Sequence, residues 1–292
     1  MSFDPGLPDD SINVSRTHPL KEAGLLLAGM IGAVILFVIA VGASIDWLAP
    51  LLPPGLEMKL LGSFGEPDED EIEPSDSDEQ RLQALVDRLA SHWADNPYSF
   101  RAAILGDDAP NAFAFPGGWI VVSRGLLEQT DSENELAFVV SHEIGHFKNR
   151  DHLRGLGRGV ALALAMSVVA SSGAGLAGDL AGLAGSLASR SFDRDQEVDA
   201  DAFGLGLVYA EYGHVGGATE FIRKAPEFSN VIGNTAASYL STHPLHDDRI
   251  EALLMLALQK GWTKQGQLMP FESESGDEQD TLDTTKAHGD FE

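Results

Sequence analysis

Two histidines and a glutamate in the middle of the chain have the spacing of a metal site. His142, Glu143 and His146 form the pattern H-E-x-x-H within a segment predicted to be helical. Because four residues span slightly more than one helical turn, both imidazoles project from one face and can bind a single ion. Imidazole nitrogens suit zinc, and an open fourth position holds a water from which Glu143 can take a proton as general base. We therefore predict one catalytic zinc ion per chain.

A catalytic zinc site needs a third protein ligand, and an acidic stretch further along the chain offers one. In "RDQEVDAD" (194–201), Glu197 and Asp201 are one helical turn apart on the same face. We predict that Glu197 binds the metal and that Asp201 accepts the free N–H of a ligand histidine, which fixes the tautomer of that ring. The alternative is that both are solvent-facing acids of an acidic protein.

Four sequence blocks in a fixed order make the chain resemble a known group of peptidases. The blocks are "NAFAFPGGWIVVSRGLL" (111–127), "SHEIGHFKNRD" (141–151), "RDQEVDADAFGL" (194–205) and "STHPLHDDRI" (241–250). Over about residues 80–260 the chain is similar to the membrane-associated gluzincin metallopeptidases of the CaaX prenyl protease, HtpX and Oma type. The resemblance implies a zincin-like domain that cleaves polypeptides, with His142, His146 and Glu197 as zinc ligands and Glu143 as base.

The resemblance also assigns roles that spacing alone does not. It implies that Asn111, Ala112 and Phe113 lie on an edge strand that holds the substrate backbone, because an exposed edge can pair with an extended peptide. It further implies that His243 and Arg249 act near the oxyanion or order the floor of the active site. We therefore take His243 as a second catalytic residue.

The residues themselves leave alternatives open at these last two positions. His243 can equally be a capping or core histidine, and Arg249 can be a structural partner of Asp201 or Glu197. A mobile loop could also bring His243 or His246 to the open zinc position and block it, which would make the site latent.

Composition excludes two classes of site. The net charge of −26 argues against a nucleic-acid partner, whose phosphates need lysine and arginine. The chain has no cysteine, so it has no disulfide, no thiolate metal ligand and no thiol nucleophile. Much of the acid lies in residues 65–79 and 271–292, which lack apolar periodicity and are predicted to be solvated.

One segment near the start of the chain is long and apolar enough to span a membrane. Residues 23–45 contain no charged side chain, and we predict an uncleaved anchor over 23–48, with a cleaved signal peptide as the alternative. Arg16 and Lys21 precede the span and only Lys59 follows soon after it. The positive-inside rule therefore favours a cytoplasmic N-terminus and a catalytic domain on the exported side.

Apolar periodicity and capping signals predict four helices in the folded part of the chain. They run from near Ser77 to before Pro97, over about 132–149, over about 194–212 to Gly213, and over about 247–260 to Gly261. Ser132 and Glu135 form a capping-box pattern at the start of the second helix. His152 and His214, just beyond the second and third helices, are predicted to lie at the surface.

Three short β-prone segments precede the metal motif. They are "FRAAIL" (100–105), "NAFAF" (111–115) and "WIVVS" (119–123), with "PGG" (116–118) as a turn. We predict that they form a small antiparallel sheet. Because helices outnumber strands and the strands are consecutive, the predicted fold class is α+β, mainly α.

A second apolar stretch raises the question of a second membrane span. Residues 159–178 contain no charge, but the two histidines precede this stretch and Glu197 follows it. A single crossing would put the ligands on opposite sides of the membrane. Two crossings need about forty apolar residues, which is more than residues 159–189 supply. We therefore predict that residues 159–189 are a non-spanning Ala/Gly-rich insert, either packed over the domain or resting on the membrane surface.

These features together predict a single-pass membrane protein with one catalytic domain. The predicted parts are a polar segment (1–22), the anchor (23–48), a Pro-rich and acidic linker (49–76), the metallopeptidase domain (77–265) and an acidic disordered tail (266–292). A single anchor differs from the multi-spanning CaaX and HtpX types and is more similar to exported or intermembrane-space quality-control members. The predicted function is zinc-dependent cleavage of unfolded or misassembled polypeptides. The alternative is a latent protease that acts mainly as a chaperone or assembly factor.

Overall fold

The structure is a computed structural model that describes residues 19–61, 77–157, 159, 194–231, 243 and 248–271. Helix α1 (Pro19–Leu48) contains the predicted anchor. Among the described residues, α1 with its short continuation to Leu51 is the one stretch of helix long and apolar enough to cross a membrane, judged by length and composition. The predicted insert at 159–189 lies outside the described residues except for residue 159.

The residues that follow α1 are ordered, although they were predicted to be part of a linker. A 3₁₀ turn (Ala49–Leu51) leads into helix α2 (Pro54–Leu61). The Glu57 side chain on α2 is completely buried, and it accepts a hydrogen bond from Tyr98 Oη at 2.8 Å. A buried carboxylate with protein partners thus holds residues 49–61, the first part of the predicted linker, against the domain. Residues 62–76 lie outside the described residues.

Six further helices have defined bounds among the described residues from 77 onward. They are α3 (Ser77–Ser91), α4 (Arg124–Gln129), α5 (Glu133–Asn149), α6 (Arg194–Tyr212), α7 (Glu220–Val231) and α8 (Arg249–Lys260). The four helices predicted from periodicity correspond to α3, α5, α6 and α8, and are confirmed. The sequence arguments did not predict α4 or α7, nor the helical segment 151–157.

The small sheet is mixed rather than antiparallel throughout. Its strands β1 (Arg101–Leu105), β2 (Ala112–Phe115) and β3 (Trp119–Ser123) lie in the order β1-β3-β2. The β2–β3 hairpin is antiparallel as predicted, but β1 pairs parallel to β3. The chain leaves β1 beside the C-terminal end of β3 and crosses that end to begin β2 on its far side. The fully buried β3 thus takes the central position, which consecutive strand order does not predict.

The core lies between one face of the sheet and helices α3, α5 and α6. The inward side chains of α3, Leu82, Leu85, Val86 and Leu89, are all fully buried, as their spacing predicted. The opposite face of the sheet forms a second, smaller cluster of Ala103, Trp119 and Val121, against which Phe113 packs. Helix α5 packs on this core, and its residues 134–147 are all buried.

The first residues of the predicted acidic tail pack against the domain. Met269 O accepts a hydrogen bond from Glu133 N at 2.8 Å, and Met269 N donates to Asn134 Oδ1 at 2.8 Å. The first N–H groups of a helix have no acceptor within the helix. The Met269 carbonyl accepts one of them, that of Glu133, at the start of α5. The first part of the predicted tail thus contacts the start of α5 through Met269. Residues 272–292 lie outside the described residues.

Candidate active site

Helix α5 carries the H-E-x-x-H motif and has well-defined ends. Ser132 is its N-cap and its side chain accepts from Glu135 N at 3.3 Å, as the capping-box pattern predicted. The Glu135 carboxylate bonds Asp131 N instead of closing back on Ser132. At the other end, Arg150 adopts the left-handed conformation (φ 63°), and its N–H caps the carbonyls of His146 and Phe147. The caps fix where the motif lies along the helix.

Helix α6 reaches the motif because glycines let the two helices approach closely. A Cβ on Gly145 would lie 2.8 Å from Ala200 Cα, and a Cβ on Gly204 would lie 2.9 Å from His142 N. Both distances are shorter than real Cβ contacts, so only glycine fits at these two positions. The close crossing places Glu197 opposite the two histidines of α5.

Replacing Gly204 should therefore separate the two helices. We expect Gly204→Ala to lower the free energy of unfolding by about 1–3 kcal/mol and to weaken metal binding, because the added methyl meets backbone. Gly206→Ala on the same helix is the matched control, since its Cβ would meet only the Trp262 ring, at 3.6 Å. That variant should be neutral or slightly stabilising, because alanine favours helix over glycine. Denaturant unfolding measures both, and equal effects would contradict the close-packing argument.

Four buried side chains converge on one point. The ligand atoms of His142, His146, Glu197 and His243 all lie within 4.8 Å of one another. His142 Nε2 is 3.1 Å from His146 Nε2 and 3.1 Å from His243 Nδ1. Glu197 lies 3.6 Å from His142 Nε2 through Oε2, and Oε1 lies 3.5 Å from His146 Nε2. The three predicted ligands are thus brought together, with His243 beside them.

These separations fit a single metal ion. Ligand atoms about 2.0–2.1 Å from a tetrahedral metal lie roughly 3.3–3.4 Å apart, and the measured separations fall on both sides of that value. Three imidazoles and one carboxylate can together bind a divalent cation once the rings are neutral. The group is therefore able to hold a metal ion.

Glu143 directly follows His142 on α5 and lies beside the metal group. Its carboxylate is completely buried, and neither oxygen accepts a hydrogen bond from the described residues. Its Oε1 lies 3.5 Å from His243 Nε2. A buried carboxylate without a hydrogen-bond donor is costly, so this position is consistent with a group that exchanges a proton with a substrate or a water.

Two charged residues, Asp201 and Arg249, contact the predicted metal ligands. Asp201 Oδ1 lies 2.8 Å from His142 Nδ1, as the one-turn spacing from Glu197 predicted. Arg249 donates to both oxygens of Asp201, at 2.6 and 2.8 Å, and its Nη1 lies 2.9 Å from Glu197 Oε2. Arg249 therefore links the two carboxylates in the structural role that the sequence left open.

The electrostatics of the site favour positive charge at its centre. Burial lowers the pKa of the His142 imidazole, but the carboxylates of Glu197 and Asp201 outweigh burial and raise that pKa to about 10. Burial raises the pKa of Glu197, but His243 and His142 outweigh it and hold that pKa well below its usual range. The pocket thus stabilises a cation among the imidazoles, whether it is a proton or a metal ion.

Comparison with known proteins identifies the family. The model of the family described as Peptidase family M48 matches residues 76–257, which is more than half of the chain. The chain belongs to peptidase family M48. It is therefore a member of a metallopeptidase family, and its metal group, predicted from H-E-x-x-H and a downstream acid, lies inside the matched region.

The M48 chain is similar to several named relatives. It is 34% identical to a putative beta-barrel assembly-enhancing protease of Vibrio cholerae over 181 residues, which are 58% of this chain and 37% of that protein. It is 30% identical over 156 residues to the mitochondrial metalloendopeptidase OMA1 of Arabidopsis thaliana, covering 53% of this chain and 31% of that protein. It is 28% identical over 269 residues to a protease HtpX homolog of Salinibacter ruber, covering 80% and 91%. The chain thus matches little more than a third of the length of the assembly-enhancing proteases.

In this M48 chain, the structure also shows a carboxylate partner for His146 that the sequence arguments did not predict. Asp151 Oδ2 lies 3.0 Å from His146 Nδ1, and Asp151 Oδ1 accepts from Gln196 Nε2 at 2.7 Å and from Arg154 at 3.1 Å. Each predicted ligand histidine thus has its own carboxylate partner. The signal for Asp151 was its place at the end of the motif block, five residues after His146.

Two histidines predicted to lie at the surface are buried. His152 is 4% exposed and His214 is 8% exposed. His152 Nε2 lies 2.7 Å from Glu57 Oε1, and His214 Nε2 lies 3.1 Å from Gln267 O. The surface prediction is wrong for both because their partners come from segments assigned to the linker and the tail.

The strand predicted to hold substrate lies at an edge of the sheet and against α5. Ser123 N donates to Asn111 O at 2.9 Å, so Asn111 is in a hydrogen-bonded pair with β3. Alternation along an antiparallel ladder then pairs Phe113 in the same way and turns the N–H and C=O of Ala112 and Ala114 outward. His246 and its neighbours at 244–247 lie outside the described residues.

Proposed function

We propose that this chain is a membrane-anchored zinc endopeptidase that hydrolyses peptide bonds in unfolded or misassembled proteins. The observation that carries the proposal is the convergence of His142, His146 and Glu197, with Glu143 buried beside them, in a chain of family M48. Two imidazole nitrogens and one carboxylate are a ligand set of catalytic zinc sites. These residues would hold the ion, and Glu143 would serve as the base.

The chemistry divides between the ion and the side chains. A zinc ion held by these residues would supply Lewis acidity, which polarises a carbonyl and makes a water more acidic. Glu143 would accept the proton of the attacking water and deliver it to the leaving amine. His243, whose Nε2 lies 3.5 Å from Glu143 Oε1, would donate a hydrogen bond to the developing oxyanion. Asp201 and Asp151 hold the two ligand rings in the tautomers that leave Nε2 for the metal.

The edge position of β2 supports an extended polypeptide as substrate. The outward N–H and C=O groups of the partly exposed Ala114 can pair with a substrate backbone, whereas Ala112 is completely buried and lies between the partly exposed Asn111 and Phe113. Main-chain pairing gives affinity with little sequence preference, which suits an unfolded chain. Two relatives are named as beta-barrel assembly-enhancing proteases, and these names are consistent with a role in protein quality control.

A second candidate function has one specific observation in its favour. His243 Nδ1 lies 3.1 Å from His142 Nε2 and 3.0 Å from Glu197 Oε1, at the place of a fourth ligand. In that position His243 would occupy the site that a water needs for catalysis. The chain would then be a latent protease that acts mainly as a chaperone or assembly factor by binding exposed strands.

The apolar helix α1 supports a single anchor that places the catalytic domain on the exported side. Its length fits a bilayer, and none of its described side chains is buried in the structure. Arg16 and Lys21 precede the apolar stretch while Lys59 follows it. The excess of basic residues before the span favours a cytoplasmic N-terminus.

Chelation of the full-length chain tests the proposed function. In detergent micelles, the chain should cleave an unfolded protein such as reduced casein. A strong chelator should abolish the cleavage, and one equivalent of zinc per chain should restore it. Cleavage that persists without metal would overturn the proposal. Absent cleavage with retained binding of the unfolded protein would favour the latent chaperone, and a His243→Ala variant that gains activity would identify His243 as the blocking ligand.

A further inference from the structure

A buried charge cluster joins the segment next to the anchor to the end of the active-site helix. Glu57 on α2 is fully buried, and its two oxygens take separate partners. Oε1 lies 2.7 Å from His152 Nε2 and accepts from Gly117 N at 3.3 Å, while Oε2 accepts from Tyr98 Oη at 2.8 Å and from Arg150. One carboxylate thus contacts three side chains of the catalytic domain.

Two of these three side chains, Arg150 and His152, flank the residue that orients a metal ligand. Arg150 and His152 contact Glu57, and Asp151 between them lies 3.0 Å from His146 Nδ1. Arg150 and His152 also contact the backbone carbonyl of His146. Arg150 N–H caps the His146 carbonyl, and His152 Nδ1 lies 3.4 Å from that oxygen. Moving the 150–152 segment would therefore move the carboxylate that holds the His146 ring.

The backbone of this segment needs side-chain support. Arg150 is in the left-handed conformation (φ 63°, ψ 25°), which costs an L-residue other than glycine free energy. Its guanidinium donates to Glu57, to Tyr98 Oη and to the Leu52 carbonyl. Two of these acceptors, Glu57 and Leu52, belong to the chain between the anchor and the catalytic domain. The turn that presents Asp151 is thus held from outside the domain.

Glu57 is well suited to this task because it keeps its charge. Burial raises the pKa of the Glu57 carboxyl, but the hydrogen bonds and charge of His152, with further donors from Tyr98 and Gly117, outweigh burial and lower that pKa. An ionised carboxylate can accept several charge-assisted hydrogen bonds at once, which an amide of the same shape cannot.

We propose that Glu57 is a positioning residue of the metal site: through Arg150 and His152 it holds Asp151 against the metal ligand His146. This inference rests on the proposed zinc site. It extends the catalytic unit to a segment that begins at Leu52, whereas the family match begins only at residue 76. Since α2 directly follows α1, the geometry of the zinc site depends on how the chain leaves the anchor.

A double-mutant cycle on the full-length chain in detergent micelles tests the proposal. Zinc affinity is measured by competition with a chromophoric chelator, and the visible spectrum of the cobalt-substituted chain reports ligand geometry. We expect Glu57→Gln to weaken zinc binding about tenfold and to alter the cobalt spectrum, and Asp151→Asn to weaken zinc binding about 10–100-fold. In the double variant the loss should equal that of Asp151→Asn alone, because Glu57 acts through Asp151.

The control is Lys59→Gln, which removes an exposed charge from the same helix and should leave zinc affinity unchanged. If Glu57→Gln does not accumulate as a folded chain, Tyr98→Phe takes its place in the cycle, because it removes one donor to Glu57 and keeps the ring; a smaller, equally non-additive loss is expected. Unchanged zinc affinity and cobalt spectrum in a folded variant would overturn the inference. Additive losses would also overturn it, because they indicate general destabilisation. A wild-type chain that binds no zinc would instead overturn the proposed function.

Discussion

Glu143→Gln should leave the zinc content at one ion per chain and reduce peptide hydrolysis about 10²–10⁴-fold. The amide has nearly the same shape as the carboxylate but cannot accept the proton of an attacking water. Glu143 makes no hydrogen bond to the described residues, so the exchange removes no protein contact. The change should therefore appear in kcat with little effect on KM, since the proposed site would hold the substrate backbone elsewhere, along β2.

Steady-state cleavage of a fluorogenic unfolded substrate, together with metal analysis of the same sample, measures both quantities. Glu128→Gln is the matched control, because it makes the same exchange at an exposed position on α4. Full activity in Glu143→Gln would refute the role of this residue as base. Loss of zinc together with activity would show that Glu143 supports the metal instead of the proton transfer.

The parts of the site that the sequence predicted are those set by helical spacing. His142 and His146 share a face because they are four residues apart on one helix, and Asp201 follows Glu197 by one turn on another. Such relations depend only on local backbone geometry, which periodicity and caps predict well. The meeting of α5 with α6 was deduced from chemistry, because one metal ion needs a third ligand.

The parts that the sequence did not predict depend on exceptional backbone or on distant segments. Asp151 reaches His146 only because Arg150 adopts a left-handed conformation, which arginine rarely does. Glu57 is a single acid beside a Pro-rich, acidic stretch, and no local pattern distinguishes a buried acid from its solvated neighbours. The parallel pairing of β1 with β3 likewise depends on which strand is buried on both faces, not on strand order along the chain.

Replacing Glu197 should remove the metal, which makes it the second large effect expected at this site. In Glu197→Gln a neutral amide takes the place of the charged ligand, and the carboxylate that offsets the positive charge of the pocket is lost. We expect zinc affinity to fall more than 100-fold, beyond the 10–100-fold that loss of an outer partner costs. Hydrolysis should fall with it at any zinc concentration that leaves the site empty.

Two neighbouring acids on α6 separate this effect from simple loss of negative charge. Asp201→Asn should weaken zinc binding only 10–100-fold, because His142 remains a ligand without its carboxylate partner, and excess zinc should restore its activity. Asp199→Asn, at an exposed position two residues from Glu197, should change neither quantity. Zinc affinity, measured by isothermal titration calorimetry after chelator treatment, distinguishes the three variants. If Glu197→Gln binds zinc as tightly as Asp201→Asn, Glu197 supports the site from outside, and His243 becomes the third ligand.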